Sequence, residues 1–171
     1  MNCAIERTVG ERYLFSETII VGEDQEWSRG VLLDGHKMLY EPQATVGDLL
    51  NNMLRKVCRR YSLSSKPDIS IVLLTKNGGN LFRECLKMVF RQDTTRQFEV
   101  IVIDSGSIDN TLEIASRYPT RLYTIEPWEF LHGRTRNLGA DLADGDFVVY
   151  LTQDAMPTSP HLARKVDRQL G

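Results

Sequence analysis

The chain has 171 residues, a net charge of −2, 42% hydrophobic and 26% charged residues, and three cysteines. That length suits one domain, or one domain with a sizeable extra segment, and the charge offers no basic face for nucleic acid. No run of about 18 apolar residues marks a transmembrane helix, the N-terminus lacks the apolar core of a signal peptide, and the widely spaced Cys3, Cys58 and Cys85 exclude a disulfide framework or a paired-cysteine zinc site and fit a reducing cytoplasm.

The first sixty residues are irregular. Glu23–Asp34 reads as a helix that opens with acids, which suits the positive end of the helix dipole, and Gly35 is its stop. Lys37–Tyr40 reads as a short strand ended by Pro42, and Gly47–Tyr61 as a helix finishing in the basic run Arg55-Lys56-Val57-Cys58-Arg59-Arg60. That run suits either a solvated helix end or an anionic membrane surface. The Ser-rich stretch closed by Pro67 then signals a linker. The expected organisation is a small α/β segment over residues 1–61, a linker over 62–67 and a larger domain over 68–171.

Beyond the linker the pattern is regular. Ile69–Thr75 is a near-continuous apolar run, as expected for a strand buried on both faces. Residues 80–91 carry Leu81, Phe82, Cys85, Leu86, Val89 and Phe90 on one helical stripe, so Cys85 reads as core packing. Phe98–Ser105 is a second strand, residues 110–118 are helix-like, and Arg121–Glu126 reads as a third, shorter strand. A helix from about Thr135 to Ala143 leads to a last strand, Asp146–Thr152. Strand and helix alternate, so the expected fold is α/β, a doubly wound and mostly parallel sheet with helices on both faces.

Ligands of such sheets sit outside the carboxyl ends of the strands, at the switch point. Three polar places lie there: Thr75-Lys76-Asn77, Asp104-Ser105-Gly106-Ser107, and Gln153-Asp154. Asp104 can accept hydrogen bonds from a pyrimidine N–H or a ribose hydroxyl, while the small residues after it let backbone approach a ligand. The same residues also suit a tight turn that starts a helix. Asp154 can take one divalent ion whose other ligands are diphosphate oxygens and water, or it is a solvated loop acid. Arg134 and Arg136 stand where a helix N-terminus would hold a diphosphate, or simply a basic first turn.

Together, ISIVLLTKN, VIVIDSGSIDNT and FLHGRTRNLGADLADGDFVVYLTQDAMP resemble the donor half of family-2 glycosyltransferases with a GT-A fold, and within that family bacterial rhamnosyltransferases. The resemblance covers roughly ninety residues. It implies inverting transfer of a sugar, rhamnose in particular, from a nucleoside diphosphate donor to a glycan or lipid-linked acceptor, with a divalent metal, Mg2+ or Mn2+. By position it places Thr75, Asn77, Asp104 and Ser107 around the nucleoside, Arg136 near the diphosphate and Asp154 on the metal. Thr152 stands where the family's acid pair has its first Asp.

The family's base lies after this half, but here the N-terminal stretch resembles the acceptor half. Its Glu23-Asp24 pair is similar to the acid motif that supplies the base, with Asp24 in that role and Glu23 its neighbour; read from the residues alone, the pair is an acid-rich helix start. The halves are thus expected in swapped order without the stretch that joins them. The alternatives are a non-catalytic nucleotide-binding module or a subunit completed by a partner chain, homo-oligomers included, and a receiver-like regulator, against which Asp104 lacks an acidic cluster. The expected location is cytoplasmic, with peripheral contact at the inner membrane face left open.

Overall fold

The computed structural model describes residues 3–19, 22–34, 66–91 and 97–155. The expected stop at Gly35, the strand at 37–40, the helix over 47–61 with its basic run, and linker residues 62–65 lie outside the described residues.

In chain order the elements are β1 (Cys3–Glu6), α1 (Arg7–Arg12), α2 (Glu23–Leu33), β2 (Ile69–Thr75), α3 (Gly79–Phe90), β3 (Phe98–Asp104), α4 (Thr111–Ser116), β4 (Thr120–Thr124), a short 3-10 turn (Pro127–Glu129), α5 (His132–Leu142) and β5 (Phe147–Thr152). The strands form one sheet in the order β1-β5-β2-β3-β4. β5, β2, β3 and β4 run parallel, and β1 pairs antiparallel to β5 on the outer edge. The fold is therefore α/β and doubly wound. The chain steps outward from β2 to β4, then α5 carries it back over the sheet to β5 on the other side of β2. The switch point lies between β2 and β5.

Alternation along β2 supplies two cores. Ile69, Ile71 and Leu73 face α3 and α4 and pack with Phe82, Cys85, Leu86, Val89, Val102 and Ile114. Val72 faces the other way, with Ile101, Ile103, Val148 and Tyr150, and that side is covered by α5 and by the N-terminal segment through Phe15, Trp27 and Val31. The continuous apolar text of β2 is thus the mark of a strand covered on both faces. Gly139 on α5 allows close approach to the sheet, since a Cβ there would lie 2.5 Å from Val72 Cγ1.

Some elements differ from expectation. β1 and α1 are additions: four residues, Cys3–Glu6, are too few to show alternation, and they are held by pairing with β5 from Cys3↔Tyr150 to Glu6↔Phe147. α5 begins at His132, three positions before the expected Thr135. α4 is shorter than the helical text around it.

Candidate functional site at the switch point

Register sets the site. Thr75 pairs with Asp104, Asp104 with Thr124, and Leu74 with Thr152, so the carboxyl ends of the four parallel strands finish nearly level. The loops after β2, β3 and β5 meet there.

Asp104 is buried at 1% exposure, and its carboxylate organises the loop that follows. Oδ1 accepts from Gly106 N–H at 3.0 Å and Ser107 N–H at 2.9 Å, while the Ser107 hydroxyl donates to Oδ2. Gly106 takes φ 85°, and a Cβ there would meet Pro127 Cγ at 2.6 Å, so this turn admits only glycine without strain. Asn77 has φ 49°, a left-handed conformation that Asn tolerates better than most side chains. It joins the two loops: its N–H donates to Ser107 Oγ at 2.7 Å, and its Oδ1 accepts from Ile108 N–H at 2.9 Å. The structure therefore brings Asn77, Asp104 and Ser107 into one hydrogen-bonded cluster, with Thr75 beside it, its carbonyl accepting from Ser105 N–H at 3.0 Å.

Gln153 bridges the switch point. Its Oε1 accepts from Thr75 Oγ1–H at 2.8 Å and from Lys76 N–H at 2.9 Å. Gly78 leaves it room, since a Cβ at that position would come within 2.9 Å of the same oxygen. Asp154, next in the chain, is exposed and has no hydrogen bond or ion pair to other described residues. Beneath this loop lies the Cys85 thiol, pushed up to about 12 by burial and further by the Asp154 carboxylate.

On the other side of the cleft, α5 is held by the N-terminal segment. Arg136 ion-pairs with Glu23, both almost wholly buried, and its guanidinium lies 5.3 Å from the Phe15 ring centroid. Asn137 clamps the Phe15 backbone, accepting from its N–H at 2.9 Å and donating to its carbonyl at 3.0 Å. Gly133 lets Ser16 in, because a Cβ there would overlap the Ser16 carbonyl oxygen. Tyr150 donates its hydroxyl to the Arg136 carbonyl at 2.9 Å. The expected clamp of two arginines thus divides: Arg136 is engaged with Glu23, while Arg134 is exposed.

Asp24 is half-buried, one position after Glu23, and its Oδ1 accepts from the N–H of Gln25 at 3.0 Å. Thr135 is buried, and its hydroxyl has no partner among the described residues; it lines a half-open pocket of about 160 Å³ with Ile125, Glu129, Arg134 and Leu138. Sequence reading gave no role to Gln153, Asn137 or Gly133. Gln153 stood in one of the three polar places that the sequence marks at the strand ends, and the glycines at 78 and 133 each mark a close approach whose partner is remote in sequence.

The described residues hold no group of three or more His, Cys, Asp or Glu side chains that would cage a metal ion. Asp154 could supply at most one carboxylate ligand, and the rest of a divalent ion's shell would come from groups such as phosphate oxygens and water, as magnesium prefers. No helix among the described residues is long and apolar enough to cross a membrane.

A doubly wound sheet with polar loops gathered at its switch point places the protein in the doubly wound α/β class, whose members take ligands in that crevice. The model for Glycosyl transferase family 2 matches residues 70–169, and the chain belongs to that family. It is 40% identical over 91 residues to the O-antigen chain rhamnosyltransferase WbaN of Salmonella anatum, covering 53% of this chain and 29% of the relative. It is 39% identical over 90 residues to the O-antigen chain rhamnosyltransferase RfbN of Salmonella typhimurium, covering 52% and 28%. Among solved structures, Staphylococcus aureus TarS 1-349 is similar at 30% identity and a TM-score of 0.43, over 51% of this chain and 27% of that one. The chain spans less than a third of the length of these relatives.

Proposed function

We propose that this chain binds a nucleoside diphosphate sugar at the switch point and takes part in inverting transfer of that sugar, rhamnose, to a glycan or lipid-linked acceptor. The observation that carries the reading is the Thr75–Asn77–Asp104–Ser107 cluster at the carboxyl ends of β2 and β3 in a family-2 chain. Asp104 and Ser107 present the oxygens that meet a base N–H or a ribose hydroxyl, with Thr75 and Asn77 closing the pocket. Exposed Arg134 and Lys76 offer cations to the diphosphate, and Arg136 contributes nearby by holding α2 against α5.

Asp154 would hold a divalent ion, Mg2+ or Mn2+, which when bound supplies positive charge to the leaving diphosphate. Asp24 takes the proton of the acceptor hydroxyl as its oxygen bonds to the anomeric carbon. The bond from that carbon to the diphosphate oxygen breaks, the electron pair leaves with the nucleoside diphosphate, and the configuration inverts. Glu23 is the neighbour that fixes the start of this helix. The proposed setting is the cytoplasm, with contact to a membrane bearing the acceptor.

A second reading is a donor-binding module or subunit completed by another copy or a partner chain. It is favoured by the outer edge of β4, which no other described strand pairs and where Leu122 is 37% exposed.

Calorimetric titration with dTDP and with UDP, each with and without manganese, tests the site on wild type and Asp154→Ala. Metal-assisted binding that the substitution removes is the expected result. Absence of binding under every condition would sink the reading. Release of sugar from dTDP-rhamnose then separates an enzyme from a binding module.

A further inference from the structure

The nucleoside cluster and Asp154 stand on loops of different strands, on opposite sides of the switch point. A diphosphate reaching from one to the other has a fixed span, so the two loops must keep a fixed separation. Neighbouring strands set that distance only as far as Thr75 and Thr152; beyond them each loop needs its own restraint. Among the described residues, the Gln153 side chain bonds across from the one loop to the other. The geometry points to Gln153 as a positioning residue that locks the metal-side loop to the nucleoside-side loop, an inference that rests on the donor-site reading above.

Both partners of Gln153 are donors. The Lys76 N–H can only donate, so the amide oxygen must face β2, and the Thr75 hydroxyl adds a second bond to the same oxygen. The contact joins residues 78 and 77 positions apart, so it bridges loops rather than shaping a local turn. Gly78 is the complementary feature: any side chain there would press on Gln153 Oε1 and Thr75 Oγ1 at 2.9 and 3.0 Å. Asp154 has no hydrogen bond or ion pair of its own among the described residues, so the place of its carboxylate depends on its neighbours in the chain, Gln153 and the buried Ala155. A group held by two bonds next to an exposed acid pre-orients that acid before any ligand arrives.

The donor requirement makes the test specific. Gln153→Glu keeps an oxygen that accepts both bonds, whereas Gln153→Met keeps the volume and loses the acceptor. Titration with dTDP or UDP, with and without manganese, gives for each variant a metal-free affinity and the gain that manganese adds. For Gln153→Met the expected result is a metal-free affinity within about threefold of wild type and a manganese gain reduced about tenfold, toward that of Asp154→Ala. Gln153→Glu should retain the gain.

A wild-type gain in Gln153→Met overturns the inference while leaving the donor site intact. So does a loss of metal-free binding equal to the loss with manganese, because that is general damage and not mispositioning. Absence of any manganese gain in wild type removes the donor-site reading, and the inference falls with it. Thermal melting of each variant identifies unfolding. If Gln153→Met does not fold, Thr75→Val, which deletes one of the two bonds, must lower the manganese gain for the inference to stand.

Discussion

Arg136 of α5 and Glu23 of α2, 113 residues apart in the chain, form an ion pair exposed by only 5% and 7% of their side chains. The contact fixes the first turn of α2, and with it Asp24, to the helix that covers the switch point. It also commits a guanidinium that sequence reading places beside a diphosphate. A buried pair of this kind is weak evidence for net stabilisation, yet removing one partner leaves the other charge unpaired in the core.

Glu23→Gln and Arg136→Met should therefore each destabilise the fold by about 3–5 kcal/mol. The double variant Glu23→Gln/Arg136→Met should cost less than the sum of the single changes, because it leaves neither charge stranded. Urea unfolding of the four proteins gives the coupling. Additive losses would show that the two side chains do not depend on each other.

The N-terminal segment docks through the backbone of Phe15 and Ser16, so its attachment depends on shape at α5. Gly133→Ala should displace it, because the new methyl group overlaps the Ser16 carbonyl. Trp27 is buried and stacked on Phe15 at 4.9 Å, whereas Trp128 is 80% exposed. In a Trp128→Phe background, release of the segment should shift Trp27 emission to longer wavelength. An unchanged spectrum would mean that the segment accommodates the methyl group in place.

The strands and their ends were legible because β2, β3 and β5 are mostly apolar, interrupted only by Ser70 and Glu99 before they stop at polar residues. The rule that ligands gather at the carboxyl ends then directed attention to Thr75, Asp104 and Asp154. What the text concealed were the contacts between remote segments. Cys3–Glu6 becomes a strand only because β5 offers an edge, and nothing in its four residues announces it. The early start of α5 was hidden because His132-Gly133-Arg134 carries no capping side chain at Leu131 and includes a glycine. That glycine is there for Ser16. Arg136 looked available because its partner lies on a helix far back in the sequence.

Thr135 offers a small gain. Its buried hydroxyl has no partner among the described residues, so Thr135→Val exchanges an unsatisfied polar group for a methyl group of similar shape. The free protein should become more stable by up to about 1–3 kcal/mol. A loss of stability on thermal or urea unfolding would reveal a partner for the hydroxyl.

Glu99 closes the far end of the sheet. Although burial pushes its carboxyl up, hydrogen bonds from the Ser70 hydroxyl, Asp144 N–H and Arg121 hold it below its ordinary value of 4.5. A carboxyl depressed in the folded state contributes stability above its unfolded pKa, and that contribution is lost as pH falls through the folded value. Wild type should thus lose stability on acidification below about pH 4.5 faster than Glu99→Gln. Urea midpoints measured between neutral pH and pH 3 supply the comparison, and parallel curves would assign acid sensitivity elsewhere.

Cys85 behaves in the opposite sense at alkaline pH. Its thiol is raised from 9.0 to about 12 in the folded protein, by burial first and by Asp154 second, and it packs at 1% exposure among Phe82, Leu86 and Leu151. Above pH 9 the unfolded chain gives up this proton while the folded chain keeps it, so the folded state binds more protons and stability falls as pH rises. The slope for this group approaches about 1.4 kcal/mol per pH unit between the two values. Cys85→Ala leaves a cavity and starts less stable at pH 8, but it has no thiol to titrate there, so its deficit against wild type should narrow between pH 9 and 11. The same burial makes the thiol inert at pH 8, because the thiolate is the reacting species. Alkylation of Cys85, followed by peptide mapping, should proceed only as fast as the fold opens. Rapid labelling in the native protein, together with a constant deficit across the pH range, would show that the thiol is neither buried nor raised.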